Sequence, residues 1–254
     1  MTTATPRFPL AGQAALYAEA AYEDPEGFKR MVGAEDDDLV FIDITDGKLD
    51  VQAYIHTCHQ DQRVWVAVRG SETSKWDDWL ANFSFRAVIT GQRLGRVHRG
   101  FHYEAQAIGE RVIDALRATS ARYEVVLTGH SKGGSICTVL QHVYDIRATV
   151  HTFGEARSLG WRAAGLYNLS HPHHYRWVNT IDPVPKLLWW AYRHVGRLIY
   201  LDRQGQWNHG YVNFKDRVLT RLRNPFGGIP RHAMSRYREL VTTKPGGDEA
   251  YIDD

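Results

Sequence analysis

The chain has 254 residues, 43% of them apolar and 24% charged, a length at which an α/β domain buries about 70–75% of its unfolded surface without metal or disulfide staples. This composition excludes disordered, collagenous and fibrous chains. Thirty-one Lys and Arg against 29 Asp and Glu leave a formal charge of +2, so no nucleic-acid face is expected, and Cys58 and Cys137 make no disulfide framework.

Met1 to Arg7 is polar, and the apolar residues that follow (Leu10, Ala14, Ala15, Leu16, Ala18) are mixed with Gln13, Glu19 and Glu23. The pattern predicts a short amphipathic helix rather than a signal-peptide core. Cytoplasmic residence, or export by a non-classical route, is the expectation from it. The longest compact apolar stretch, Leu187 to Tyr192, falls far short of the ~20 residues that cross a bilayer, so no transmembrane segment is expected.

Strands are predicted at Leu49–His56 and Val64–Val68, joined by a polar turn at His59–Gln62, with a helix at Gly109–Ala118 next. Strand Tyr123–Leu127 and helix Ser135–Val143 follow, then strands at Ala148–Phe153, Tyr175–Ile181 and Arg197–Leu201. A last helix spans about Ala233–Leu240. The alternation predicts an α/β fold with a mostly parallel central sheet flanked by helices, the first hairpin adding antiparallel strands. No repeat or linker divides residues 1–254, which read as one domain, with residues 242–254 as a frayed acidic tail.

The sharpest chemical signal is Thr128-Gly129-His130-Ser131-Lys132-Gly133-Gly134, a G-x-S-x-G between a strand and a helix that opens with small residues. Such a turn lifts a serine hydroxyl above the sheet and aims the positive end of the helix at a developing oxyanion. A serine needs a base, and the base needs a carboxylate, in the chain order serine, acid, histidine on sheets of this kind.

Asp182 follows strand Tyr175–Ile181 and precedes Pro183, which holds it at a strand's carboxyl edge. Glu155, after strand Ala148–Phe153, is the rival acid. The candidate bases are His232, before the terminal helix, His194, read as opening a strand, and His209, read in a polar turn. Its loop position favours His232. For the oxyanion, the N–H of Lys132 and the N–H and hydroxyl of Ser71 are the candidate donors, with the ammonium of Lys132 read as a solvated charge. Trp76, Trp79, Leu80 and Phe83 form an i, i+3, i+4, i+7 stripe beside Ser71 that fits a lid or a core face. Trp189 and Trp190 fit an acyl groove or core packing. His56-Thr57-Cys58-His59 and His171-Pro172-His173-His174 contain metal-ligand types but lack a second pair at zinc-like spacing, so no metal is expected.

Together these residues resemble the class 3, fungal-type lipase family of the α/β-hydrolase fold. Its motifs read here as Val68-Arg69-Gly70-Ser71, Trp79-Leu80-Ala81-Asn82-Phe83, Val97-His98-Arg99-Gly100-Phe101 and Thr128 to Gly134. They continue as Thr152-Phe153-Gly154-Glu155-Ala156-Arg157, Val178 to Pro185 and His232 to Tyr237, so the likeness runs from about Ala15 to Leu240. The resemblance implies Ser131 as nucleophile, Asp182 as acid, His232 as base, Ser71 and Lys132 as oxyanion donors, and a lid after Ser71. It matches His194 to a non-catalytic histidine. The implied activity is hydrolysis of acylglycerols or related lipid esters at a lipid-water interface through an acyl-enzyme, without a cofactor; the alternatives are a phospholipase A or lysophospholipase, an esterase of short-chain or aromatic esters, and, behind these, a non-catalytic lipase-like scaffold. Glu155 stands where the family often has glutamine.

Overall fold

The computed structural model describes residues 10–47, 49–71, 87–89, 95–210, 214–223 and 228–243. Eight strands form one sheet in the order β1 (Leu39–Thr45), β2 (Asp50–Cys58), β3 (Arg63–Val68), β6 (Glu124–His130), β7 (Thr149–Phe153), β8 (His174–Asn179), β9 (Arg197–Leu201) and β10 (Trp207–His209). Strands β3, β6, β7, β8 and β9 run parallel, while β1 and β2 at one edge and β10 at the other pair antiparallel. A separate two-stranded ribbon joins β4 (Ala87–Ile89) to β5 (Arg96–His98).

The two sides of the sheet are read directly from the period-2 alternation of its strands. Val64, Val66, Val68 and Leu127 face a core shared with helices α3 (Arg99–Ala118), α4 (Lys132–Tyr144) and α5 (Trp161–Ser170). Trp65, Ala67, Val126 and Phe153 face the opposite core, closed by α1 (Ala11–Ala20), α2 (Pro25–Val32) and the terminal helix α8 (Met234–Thr243). Two further helices, α6 (Phe214–Arg223) and the short α7 (Gly228–His232), lead into α8.

Several local expectations are corrected. The helix after Ser131 begins at Lys132 rather than Ser135, because Gly133 and Gly134 pack against backbone instead of delaying the helix. His194 opens no strand: β9 starts at Arg197, and the His194 ring is tied to the carbonyl of Pro185 at 2.7 Å. His209 sits in β10, paired with Ile199, rather than in a turn. Thr242 and Thr243 belong to α8, with Thr242 Oγ1 donating to the carbonyl of Arg238 at 2.8 Å, so the supposed tail does not start at 242. Residues 244–254 lie outside the described residues.

Candidate active site

Four parallel strands end at one edge of the sheet, and each hands a candidate residue to it. Register aligns Val68 of β3 with Gly129 of β6, and Gly129 with Thr152 of β7. The chain therefore leaves β3 toward Ser71, β6 toward Ser131, β7 toward Gly154 and β8 toward Asp182 from neighbouring positions. This is the edge where open parallel sheets build their sites.

Ser131 has φ +56° and ψ −123°, a conformation that costs a residue with a side chain about 1–3 kcal/mol. Its N–H donates to the carbonyl of Phe153 at 2.8 Å, which pins the turn to β7. The flanking glycines are steric requirements. A Cβ on Gly133 would stand 2.1 Å from the carbonyl oxygen of Val68, and one on Gly129 would stand 2.5 Å from the backbone of Gly133. Ser131 Oγ is buried and makes no hydrogen bond among the described residues.

Asp182 is fully buried and receives three donors. His232 Nδ1 lies 2.7 Å from Oδ2, the Tyr237 hydroxyl donates to the same oxygen at 2.5 Å, and the N–H of Val184 donates to Oδ1 at 2.9 Å. A carboxylate can only accept, so the imidazole presents its Nδ1 proton to it. The Tyr237 oxygen in turn accepts the N–H of Asn179 at 3.0 Å. Burial and the Asp182 charge push the Tyr237 phenol well above its ordinary pKa, so it stays a donor.

His232 is the last residue of α7, not a free loop residue. Its carbonyl accepts a hydrogen bond from Nε2 of His130 at 2.6 Å, and Nδ1 of His130 accepts one from the Tyr22 hydroxyl at 2.7 Å. Burial, then the neighbouring His232, drive the His130 pKa well down, so this imidazole is neutral. The two rings lie 4.4 Å apart between centroids. Asn179 Nδ2 donates to the carbonyl of Arg231 at 2.8 Å, a second tie on the same segment. The structure thus brings Asp182, His232, Tyr237 and His130 into one bonded cluster beside Ser131, while no hydrogen bond joins Ser131 Oγ to it.

The remaining candidates separate. Glu155 turns from His232 and accepts from the Thr138 hydroxyl at 2.9 Å. Ser71 is buried just beyond β3. Lys132 begins α4, whose first N–H groups have no carbonyl partner within the helix. Its ammonium is not solvated, contrary to expectation. It is buried, donates to Glu104 Oε1 at 3.0 Å and also bonds the carbonyl of Asp50. Charge neutralisation by Glu104 is what lets this side chain fold inward. Trp189 and Trp190 are 65% and 54% exposed, so neither packs in the core. Trp76, Trp79, Leu80 and Phe83 lie outside the described residues.

Sequence reasoning names Tyr237 and Gly154 only within motifs and gives neither a role in the site. The available signal for Tyr237 is that a buried phenol must place its O–H on an acceptor. No group of three or more His, Cys, Asp or Glu that could hold a metal occurs among the described residues. No helix among them is long and apolar enough to cross a membrane.

Comparison with known proteins agrees with this architecture. A family model described as lipase (class 3) matches residues 65–191, half of the chain. A secreted mono- and diacylglycerol lipase 1 of Fusarium solani is 26% identical over 177 residues, covering 66% of this chain and 53% of the relative. Secreted mono- and diacylglycerol lipase A of Penicillium cyclopium is 29% identical over 159 residues, 58% of this chain and 50% of the relative. The chain thus spans about half the length of the curated relatives it matches. The crystal structure of the mono- and diacylglycerol lipase from Aspergillus oryzae superposes with a TM-score of 0.70 at 20% identity, covering 93% of this chain and 96% of that one. The curated relatives are named as secreted proteins, which overturns the cytoplasmic residence expected from the amino terminus. With half of its length matched by the family model on a mostly parallel sheet of this topology, the chain belongs to the class 3 lipase family of the α/β-hydrolase fold.

Proposed function

We propose that this chain is a serine carboxylic-ester hydrolase acting on acylglycerols, with Ser131, His232 and Asp182 as its triad. The observation that carries the reading is the buried 2.7 Å contact between His232 Nδ1 and Asp182 Oδ2, set beside an elbow serine with positive φ. Ser131 Oγ attacks the ester carbonyl carbon while His232 Nε2 takes the hydroxyl proton. Asp182 fixes the imidazole tautomer and balances the imidazolium. The displaced carbonyl electron pair collects on oxygen, and the oxyanion is assigned to the N–H of Lys132 and the N–H and hydroxyl of Ser71. The bond to the glycerol oxygen then breaks as His232 returns the proton to the leaving alkoxide. Water, deprotonated by the same imidazole, cleaves the acyl-serine and releases the fatty acid.

The names of the curated relatives support partial glycerides as substrates. Turnover of a monoacylglycerol and a diacylglycerol by the chain and by Ser131→Ala tests the reading. The substitution is expected to lower kcat by at least about 10³-fold at an unchanged thermal midpoint. Equal turnover in the two proteins overturns it.

A further inference from the structure

Helix α6 is built inside out for a helix that packs only on its own protein. Thr220 is buried at 2% exposure, whereas Val218, Leu219 and Leu222 are 40%, 43% and 75% exposed. At 3.6 residues per turn, Val218 and Leu222 straddle the direction opposite Thr220, and Arg217 and Arg221 run one turn apart along the flank of that apolar stripe.

Lys186 ties this helix to the candidate site. Its ammonium donates to the carbonyl of Ile181 at 3.3 Å, one residue before Asp182, and it stands close enough to Arg217 and Arg221 to feel both charges. The same loop runs on to the exposed indoles of Trp189 and Trp190. Arg193 joins a third indole to them: it donates to the carbonyl of Trp189 at 2.8 Å and lies 3.5 Å over the ring of Trp161, itself 71% exposed. Exposed indoles and an outward apolar stripe therefore border one loop, with cations among them.

The charge is segregated. Residues 183–201 hold Lys186, Arg193 and Arg197 and no carboxylate, and residues 214–232 hold Lys215, Arg217, Arg221, Arg223 and Arg231 against the single carboxylate of Asp216, in a chain whose total is only +2. Indoles favour the headgroup level of a bilayer, and a helix with an apolar stripe flanked by arginines lies in that plane, drawn by anionic lipid. A two-fold contact with a second copy would instead set these cations against one another.

We propose that α6 and the Trp161, Trp189 and Trp190 patch dock this protein on an anionic lipid bilayer. This extends the ester-hydrolase reading to the surface on which the substrate lies, and its test reads binding without turnover, so the two can fail separately. The full chain carrying Ser131→Ala is floated with phosphatidylcholine vesicles that contain or lack phosphatidylglycerol. Binding is expected only with phosphatidylglycerol and is expected to weaken as salt is raised. Arg217→Gln with Arg221→Gln should weaken it by about 30-fold, since each cation near the surface contributes about fivefold. Leu222→Glu should weaken it by at least about tenfold at an unchanged thermal midpoint. No binding, equal binding to both vesicles, or variants that bind as well as the parent overturns the proposal. So does a dimer that Leu222→Glu converts to monomer in a protein that ignores vesicles.

Discussion

Gly154 has φ +60°, and a Cβ placed on it would lie 2.8 Å from Asp182 Oδ2 and 2.9 Å from His232 Nδ1. The acid-base pair therefore rests directly on a bare patch of backbone at the end of β7. Gly154→Ala meets two costs: the left-handed conformation, about 1–2 kcal/mol, and overpacking, about 1–3 kcal/mol. The added methyl also pushes apart two groups whose geometry sets the reaction, and a displacement of about 1 Å can cost 10²-fold in rate. In the proposed hydrolase, Gly154→Ala is expected to lower kcat on a water-soluble ester by about 10²-fold and to lower the thermal midpoint. An unchanged kcat would separate the pair from catalysis. Sequence alone gives Gly154 no role, because the contact that forbids a side chain comes from residues 28 and 78 positions further along the chain.

Between β7, β8 and α4 lies a buried polar layer. Glu155 accepts from Thr138, stands 3.9 Å from the His174 ring and faces the charge of Arg176. His174 is held by Thr152 at 3.0 Å and Tyr167 at 2.9 Å. Burial raises the Glu155 carboxyl from 4.5 to about 7, against the opposing pull of Arg176. A carboxyl raised on folding holds its proton longer in the native state, so it contributes stability that is complete below about pH 4.5 and lost as pH rises through about 7. The change is on the order of 3 kcal/mol. Glu155→Gln keeps the shape and the Thr138 contact but cannot titrate. Its thermal midpoint relative to the parent is expected to climb between pH 5 and pH 8, and parallel curves would refute the assignment.

The elements themselves show where sequence is informative. β3, β6 and the presence of α4 after the elbow are legible because the strand run, the two glycines and the following helix agree with one another, although the helix starts three residues earlier than its periodicity indicates. β1 is not, since Val40 and Phe41, on opposite faces of an edge strand, stay 47% and 36% exposed, so its apolar run shows no alternation of buried and solvent-facing positions. α5 hides for the same reason, with Trp161 at 71% and Leu169 at 84% exposure. The inverted stripe of α6 belongs with them: sequence periodicity locates an apolar face but not what covers it.

Across the whole molecule, the sheet converts distance along the chain into proximity. The residues at 182 and 232 are 50 apart in sequence and in contact, and His130, beside the elbow, bonds the backbone of 232 across 102 residues. Chain order, the strand-edge position of Asp182 and the position of His232 before the terminal helix point to the two as partners, whereas the supports around them, Tyr237, His130 and Tyr22, become visible only when α1 and α8 close over the same face of the sheet. The buried Lys132–Glu104 pair escapes sequence reasoning likewise, because α3 supplies its carboxylate from 28 residues upstream.

The most direct test of the proposed chemistry is covalent capture. An alkyl fluorophosphonate is attacked only by a serine whose proton is taken as it reacts, so intact-mass and peptide analysis reads nucleophile and base together. One phosphonyl group per chain is predicted, on Ser131, absent from Ser131→Ala and formed at least about 10³-fold more slowly in His232→Ala. A folded protein that stays unmodified, or that is modified equally after Ser131→Ala, would contradict the account.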